Sequence, residues 1–178
     1  ICDFGQAAKS FELKSTNNEI IKLNDIKGTN GTLVMFICNH CPYVKAVIKD
    51  IVEDCKNLEK LGVKAVAICS NDTINYPEDS FENMIEIAKK HQFSFPYLFD
   101  ETQNVAKSYD AVCTPDFFGY NNNLELQYRG RIRELDNLKP VRAGDSDLYS
   151  AMKQIAGTGK GPETQIPSAG CAIKWLDN

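Results

Sequence analysis

Cys38 and Cys41 lie in the stretch FICNHCPYVK, separated only by Asn39 and His40 and followed at once by Pro42. Two thiols at this spacing can form a structural crosslink, clamp zinc or copper together with His40, or cycle between dithiol and disulfide. The last chemistry needs an ionised sulfur, and an ordinary cysteine with a pKa near 8.5 is only ~3% thiolate at neutral pH. A helix N-terminus supplies what is missing, because its unpaired N–H groups and its dipole favour an anion. Pro42 suits the first helical position, where its absent donor costs nothing. The spacing therefore predicts Cys38 at or just before a helix start, as the attacking thiol. Cys41 is then expected one turn inward, as the thiol that resolves a mixed disulfide on Cys38. A protonated His40 would add to the stabilisation.

The surrounding pattern predicts the elements that carry this pair. Residues 32–37 (TLVMFI) are continuously apolar, as in a strand covered on both faces. After Pro42, Val44, Val47, Ile48, Ile51, Val52, Cys55, Leu58 and Leu61 recur at spacings of three and four, one face of a helix that Gly62 stops. Residues 63–69 (VKAVAIC) read as a second buried strand, which completes a right-handed βαβ unit. A Cys-x-x-Cys at such a strand-to-helix junction falls where open α/β sheets build their sites. Upstream, Phe11, Leu13, Ile21 and Leu23 alternate around Asn17 and Asn18 as a hairpin. Downstream come a helix with Phe81, Met84, Ile85 and Ala88 on one face and Asp79 or Ser80 as its cap, a short strand at 95–100, and a brief helix at 102–109. A hairpin across residues 121–123 and a last helix marked by Leu148, Met152 and Ile155, ended by Gly157, follow. No repeat or linker interrupts the pattern, so 1–178 is expected to form one α/β domain, with 1–30 as an N-terminal hairpin extension and 157–178 as a tail packed on it.

Composition narrows the function. A net charge of −4 gives no general attraction to nucleic acid or anionic membranes, and the apolar run at 33–38 is far short of the ~20 residues of a membrane span. Seven cysteines, an odd number spread over 178 residues, do not make a secreted disulfide scaffold. A reducing cytoplasm is the expected location, although a chain that opens without Met is compatible with a removed signal. No bound cofactor is required, and no second Cys/His pair at zinc-finger spacing accompanies Cys38, His40 and Cys41.

Far along the chain, VCTPDFF places Thr114 and Pro115 at the entrance to a strand. Cys113 beside them and Cys171 in GCAIKW are either auxiliary thiols near the pair or small buried hydrophobes. Cys55 and Cys69 fall on apolar faces and read as core, and Cys2 as a terminal bystander. Arg129, Arg131 and Arg133 alternate and would share one face if a strand extends that far: a solvated strand end or an anion- or partner-binding surface. GTGKG lacks phosphate-loop spacing.

Together, FICNHCPYVKA, NDTINYPEDSFENM, FPYLFDETQNVAKSYDAVCTPDFF, YRGRI and GCAIKW resemble the peroxiredoxin-like, thioredoxin-family proteins of the AhpC/TSA (redoxin) superfamily, in its Cys-x-x-Cys branch. FELKSTNNEIIKLNDIKG is similar to that superfamily's opening hairpin, so the likeness covers nearly the whole chain. The resemblance implies a thioredoxin-like fold, a central mixed β-sheet flanked by helices. It also implies a thiol–disulfide oxidoreductase in which Cys38 attacks, Cys41 resolves, Pro115 is a cis-proline packed against the pair and Thr114 offers its backbone to an extended substrate. Asn39, His40 and Pro42 would tune the site. The implied partners are a disulfide-containing protein or small-thiol substrate and a thioredoxin or glutathione reducing system. Two departures stand out. The Pro-x-x-x-Thr-x-x-Cys motif of peroxiredoxins, which activates peroxide, has Gly31 and Met35 in its place. Thioredoxin's buried acid six residues before the first cysteine is replaced by Thr32. A thiol peroxidase and a non-catalytic metal-binding or redox-regulated module remain the alternatives.

Overall fold

The computed structural model describes residues 4–177, so Cys2 lies outside the described residues. Asn18, at φ 65°, turns the chain between β1 (Glu12–Ser15) and β2 (Ile20–Lys22). β3 (Gly31–Phe36) is buried along its full length. Its alternate side chains explain the unbroken apolar run: Leu33 and Met35 enter one core, Val34 and Phe36 the other. α1 (Pro42–Glu59) follows, with Val44, Val47, Ile48, Ile51, Cys55 and Leu58 buried. Gly62, at φ 80°, makes the left-handed turn into β4 (Val63–Cys69), which pairs parallel with β3.

Beyond it lie α2 (Phe81–Lys90), β5 (Tyr97–Phe99) and α3 (Asn104–Ser108). The two-residue β6 (Cys113–Thr114) leads into the hairpin of β7 (Asp116–Tyr120) and β8 (Leu126–Gly130). A small hairpin, β9 (Leu135–Asp136) with β10 (Lys139–Pro140), precedes α4 (Asp147–Thr158) and the tail strand β11 (Cys171–Ala172). The main sheet runs β2-β1-β5-β4-β3-β7-β8. β3, β4 and β5 are parallel and the outer pairings antiparallel, so the sheet is mixed as expected. Residues of α1, α2 and α4 pack into the core on one face; Ala106 of α3, with Phe11, Leu23 and Ile26, joins the other.

Two expectations are revised. The last helix runs through Gly157 to Thr158, and Gly159 at φ 77° caps it. β8 stops at Gly130, so the three arginines do not form a strand face. Each is paired instead: Arg129 with Asp116 at 3.0 Å, Arg131 with Asp147 at 2.6 Å and Arg133 with Asp50 at 3.1 Å. They tie β8 and the loop after it to β7, α4 and α1. Cys55 and Cys69 are buried as read, and burial pushes the Cys69 thiol up to about 12.

One carboxylate joins the helices that frame the site. Asp54 of α1 is buried, and the hydroxyl of Ser146, the N-cap of α4, donates to it at 2.5 Å. Burial raises its pKa from 3.8 to about 6, and the Ser146 hydrogen bond offsets this only in part. The folded chain thus holds this proton more tightly than the unfolded chain does. The contribution is fully present below pH ~4 and is lost as pH rises through ~6. Denaturant titrations should show up to about 3 kcal/mol of stability disappearing over that window, at ~1.4 kcal/mol per pK unit. Asp54→Asn should flatten the profile; an equally steep profile in the variant would assign the effect elsewhere.

Candidate active site

Pro42 is the first helical residue of α1 because it has no amide hydrogen to donate. Cys41 is therefore the N-cap, in extended conformation at φ −65° and ψ 127°. This corrects the expected placement, with Cys38 at the helix mouth and Cys41 one turn inside. Cys38 lies three residues before the cap, just beyond the end of β3. Both are sealed: Cys38 is 2% exposed and Cys41 is 0% exposed.

The two thiols act on each other's ionisation, and their remaining surroundings differ. The neighbouring Cys38 thiol, and after it Cys171, pull the Cys41 thiol below its ordinary value against the cost of burial, and the Cys41 thiol donates to the Thr114 carbonyl at 3.4 Å. The neighbouring Cys41 thiol, burial and the Asp79 carboxylate push Cys38 up, while the Thr114 hydroxyl at 3.4 Å works the other way. The surroundings thus favour ionisation of Cys41 over that of Cys38.

The loop between the sulfurs is fastened to a segment the sequence had not marked. Asp79 is 0% exposed. It accepts from the Asn39 amide at 2.7 Å and from Asn71 Nδ2 at 2.9 Å, and its Oδ2 lies 2.7 Å from His40 Nδ1. That last contact is close but off the N–H direction, so it is electrostatic rather than a hydrogen bond. Asn39 Nδ2 donates to the Glu78 carbonyl at 3.1 Å, and the buried Tyr97 hydroxyl donates to Asn39 Oδ1 at 2.8 Å. His40 stacks on Tyr76 with ring centroids 5.9 Å apart. Asp79 was legible only as a cap for α2. Ser80 fills that position, accepting from the Asn83 amide at 3.2 Å, which leaves Asp79 to face the thiols. Among the described residues, Cys38, His40 and Asp79 bring one donor atom each within 4.8 Å of one another, a set able to hold a metal ion. The third member is Asp79, where the sequence had suggested Cys41.

The Thr114–Pro115 peptide bond is cis. Thr114 touches both thiols, its hydroxyl at Cys38 and its carbonyl 3.4 Å from the Cys41 sulfur. Its strand edge is not open to a substrate: the tail strand β11 pairs there, Cys171 opposite Thr114 and Ala172 opposite Cys113. Cys171 is half-buried, with its sulfur 2.6 Å from that of Cys41, and burial raises it to about 11. Cys113, also half-buried, faces the Pro115 carbonyl at 3.6 Å, and burial pushes it up to about 12.

This arrangement, with a Cys-x-x-Cys between a buried parallel strand and its crossover helix and a cis-proline loop opposite, defines a thioredoxin-like protein. The chain belongs to the AhpC/TSA family, whose family model matches residues 4–135. Two crystal structures are similar over almost the whole chain. An uncharacterized conserved protein from Geobacillus kaustophilus is 40% identical with a TM-score of 0.93, covering 99% of this chain and 94% of that one. A hypothetical protein from Sinorhizobium meliloti 1021 is 33% identical with a TM-score of 0.92, covering 100% and 97%. A thiol:disulfide interchange protein of the thioredoxin family from Chlorobium tepidum TLS is 15% identical with a TM-score of 0.63, covering 88% and 97%, and shares the fold. Among curated proteins, the ribosomal protein uS12 methylthiotransferase RimO of Clostridioides difficile (strain 630) is 26% identical over 147 residues, 67% of this chain. The chain spans 33% of that protein's length.

The charge assignment is measurable from thiolate ultraviolet absorbance against pH. In Cys38→Ser the remaining Cys41 should ionise with a midpoint below about 7.5, the range of helix-start thiolates; in Cys41→Ser, Cys38 should lie above the ordinary ~8.5. Adding Asp79→Asn to the second variant should lower the Cys38 midpoint, because a like charge is removed. Reversed midpoints would return the charge to Cys38.

Proposed function

We propose that the chain is a thiol–disulfide oxidoreductase in which Cys38 and Cys41 alternate between dithiol and disulfide. One observation carries the reading: Cys38 and Cys41 stand just beyond the end of a buried strand, and Thr114, next to cis-Pro115, touches both. Cys38 attacks as the thiolate, and its proton ends on the substrate sulfur that leaves. Cys38, with the higher intrinsic pKa, is then the stronger nucleophile toward a substrate disulfide. The product is a mixed disulfide on Cys38, with the substrate's other sulfur released as a thiol. Cys41 loses its proton readily at the helix cap, attacks the Cys38 sulfur and expels the second substrate thiol. This also accounts for Thr32 in place of thioredoxin's buried acid. Cys41 ionises more readily than an ordinary thiol and so has less need of a dedicated base, while the Thr32 hydroxyl accepts the Gly28 amide at 3.0 Å.

A groove of about 660 Å³ beside cis-Pro115, lined by Tyr43, Val47, Ile132 and Ile166 and by Arg131 and Arg133, suits a disulfide-containing peptide segment, although neither thiol lines it. Regeneration would come from a small thiol or a thioredoxin or glutathione system, in a reducing compartment such as the cytoplasm. Among the described residues, no helix is long and apolar enough to cross a membrane. Residues 1–178 would act as one domain, with the hairpin extension and the tail packed on it.

The family name makes peroxide the alternative oxidant. Gly31 and Met35, in place of the peroxide-activating residues, count against fast peroxide turnover. Insulin-disulfide reduction and hydrogen peroxide consumption, measured on one preparation, decide between the two. The expected result is insulin reduction abolished by Cys38→Ser and strongly slowed by Cys41→Ser, with peroxide consumption no faster than that of a free thiol. Rapid peroxide turnover without disulfide exchange would overturn the proposal. Stoichiometric zinc or copper in protein purified without added metal, lost in Cys38→Ser, would replace it with metal binding at Cys38, His40 and Asp79.

A further inference from the structure

The tail of the chain occupies the place next to cis-Pro115 that a substrate strand would take. β11 is held there on both sides of Cys171: the Ser168 hydroxyl donates to the Pro115 carbonyl at 2.7 Å, and the Ile173 amide to the Val112 carbonyl at 3.0 Å. Further on, the Lys174 amide donates to Asn71 Oδ1 at 2.9 Å, and the Asp72 amide to the Lys174 carbonyl at 2.7 Å. The close approach depends on Gly170, where a Cβ would stand 2.3 Å from the Thr114 carbonyl oxygen. The Cys41 sulfur lies 2.6 Å from that of Cys171, and Thr114 touches both Cys41 and Cys38. Cys38 and Cys41 are sealed, whereas Cys171 is half-buried.

Building on the Cys38–Cys41 cycle, we infer that Cys171 is a third exchanging thiol, which converts the buried Cys38–Cys41 disulfide into a Cys41–Cys171 disulfide at the surface. The step is an isomerisation with no net oxidation. The Cys171 thiolate attacks the Cys41 sulfur, the Cys41–Cys171 bond forms and the Cys38–Cys41 bond breaks. The electron pair leaves on Cys38, which takes up the proton that Cys171 gave up. A reducing thiolate then attacks the accessible Cys171 sulfur and expels Cys41. A second reducing thiol then resolves the mixed disulfide on Cys171, which releases the oxidised reductant and restores the dithiol. The protein's own tail thereby serves as an internal first substrate, relaying the disulfide from the buried pair to the more exposed Cys171, where the reductant meets it.

The full-length protein is poised in glutathione buffers of graded ratio, quenched in acid and alkylated, and its disulfide-linked peptides are identified by mass spectrometry. The wild type should yield both Cys38–Cys41 and Cys41–Cys171 peptides, and Cys38→Ser should yield Cys41–Cys171 alone. Gly170→Ala should lose the Cys41–Cys171 peptide while keeping Cys38–Cys41. The inference is overturned if the wild type forms Cys38–Cys41 but Cys38→Ser gives only glutathione adducts or a Cys41–Cys113 link. It is equally overturned if Gly170→Ala leaves the Cys41–Cys171 yield unchanged. Absence of a Cys38–Cys41 peptide in the wild type would instead sink the reading of the pair itself, so the two failures are separable.

Discussion

Pro42 cannot donate a backbone hydrogen bond, and the consequences of that missing hydrogen spread through the whole site. The helix begins at the proline, so the residue before it becomes the cap, and the cap is a cysteine. The Val44 and Lys45 amides of the first turn go to the Cys41 carbonyl, at 3.0 Å each, and leave its sulfur free of the cap. That sulfur turns instead to the Thr114 carbonyl and to Cys171. The other cysteine is left beside a carboxylate that resists its ionisation. Two chemically identical side chains three residues apart are thus made unlike by their surroundings alone, which is what an asymmetric exchange reaction requires.

The scaffold divides the labour. β3 delivers Cys38 from the middle of the main sheet, buried on both faces, and α1 holds Cys41 from the other side of the loop. The loop itself is fastened by Asp79, Asn71 and Tyr97, which lie between β4 and α2 and on the neighbouring β5. Side chains with this many partners have little freedom left, so the thiols meet across a fixed geometry rather than a floppy turn.

Local patterns were readable in the sequence because they depend on neighbours along the chain. The apolar run of β3, the three-and-four spacing of α1, the turn at Gly62 and the Asn18 hairpin each appear where the residues place them. The junction that carries the cysteines was therefore legible, as was the cis bond before Pro115 once the resemblance had been recognised. The offset of one helical turn was not, because periodicity marks which face a helix buries more firmly than where it starts. Asp79 was hidden behind a local explanation, since either it or Ser80 could cap α2, and only the tertiary fold decided which. Cys171 lies 130 residues from Cys41, and nothing in the intervening sequence fixes how such a tail returns. The alternating arginines misled for the opposite reason: their spacing suggested a common face, but β8 ends at Gly130 and three separate carboxylates claim them.

The place of the N-terminal hairpin in the sheet has a consequence during synthesis. β1 joins the sheet only through β5, with Lys14 opposite Phe99 and Ser15 opposite Leu98. The ribosome therefore completes the hairpin long before the strand that will receive it exists, and until then one side of β1 has no neighbour. Exposed Glu12 and Lys14 stand at alternate positions along that waiting strand. Charges so placed discourage a nascent chain from zipping onto another copy, and Lys14 ends over the Phe81 ring, 4.8 Å from its centroid, once docking is complete.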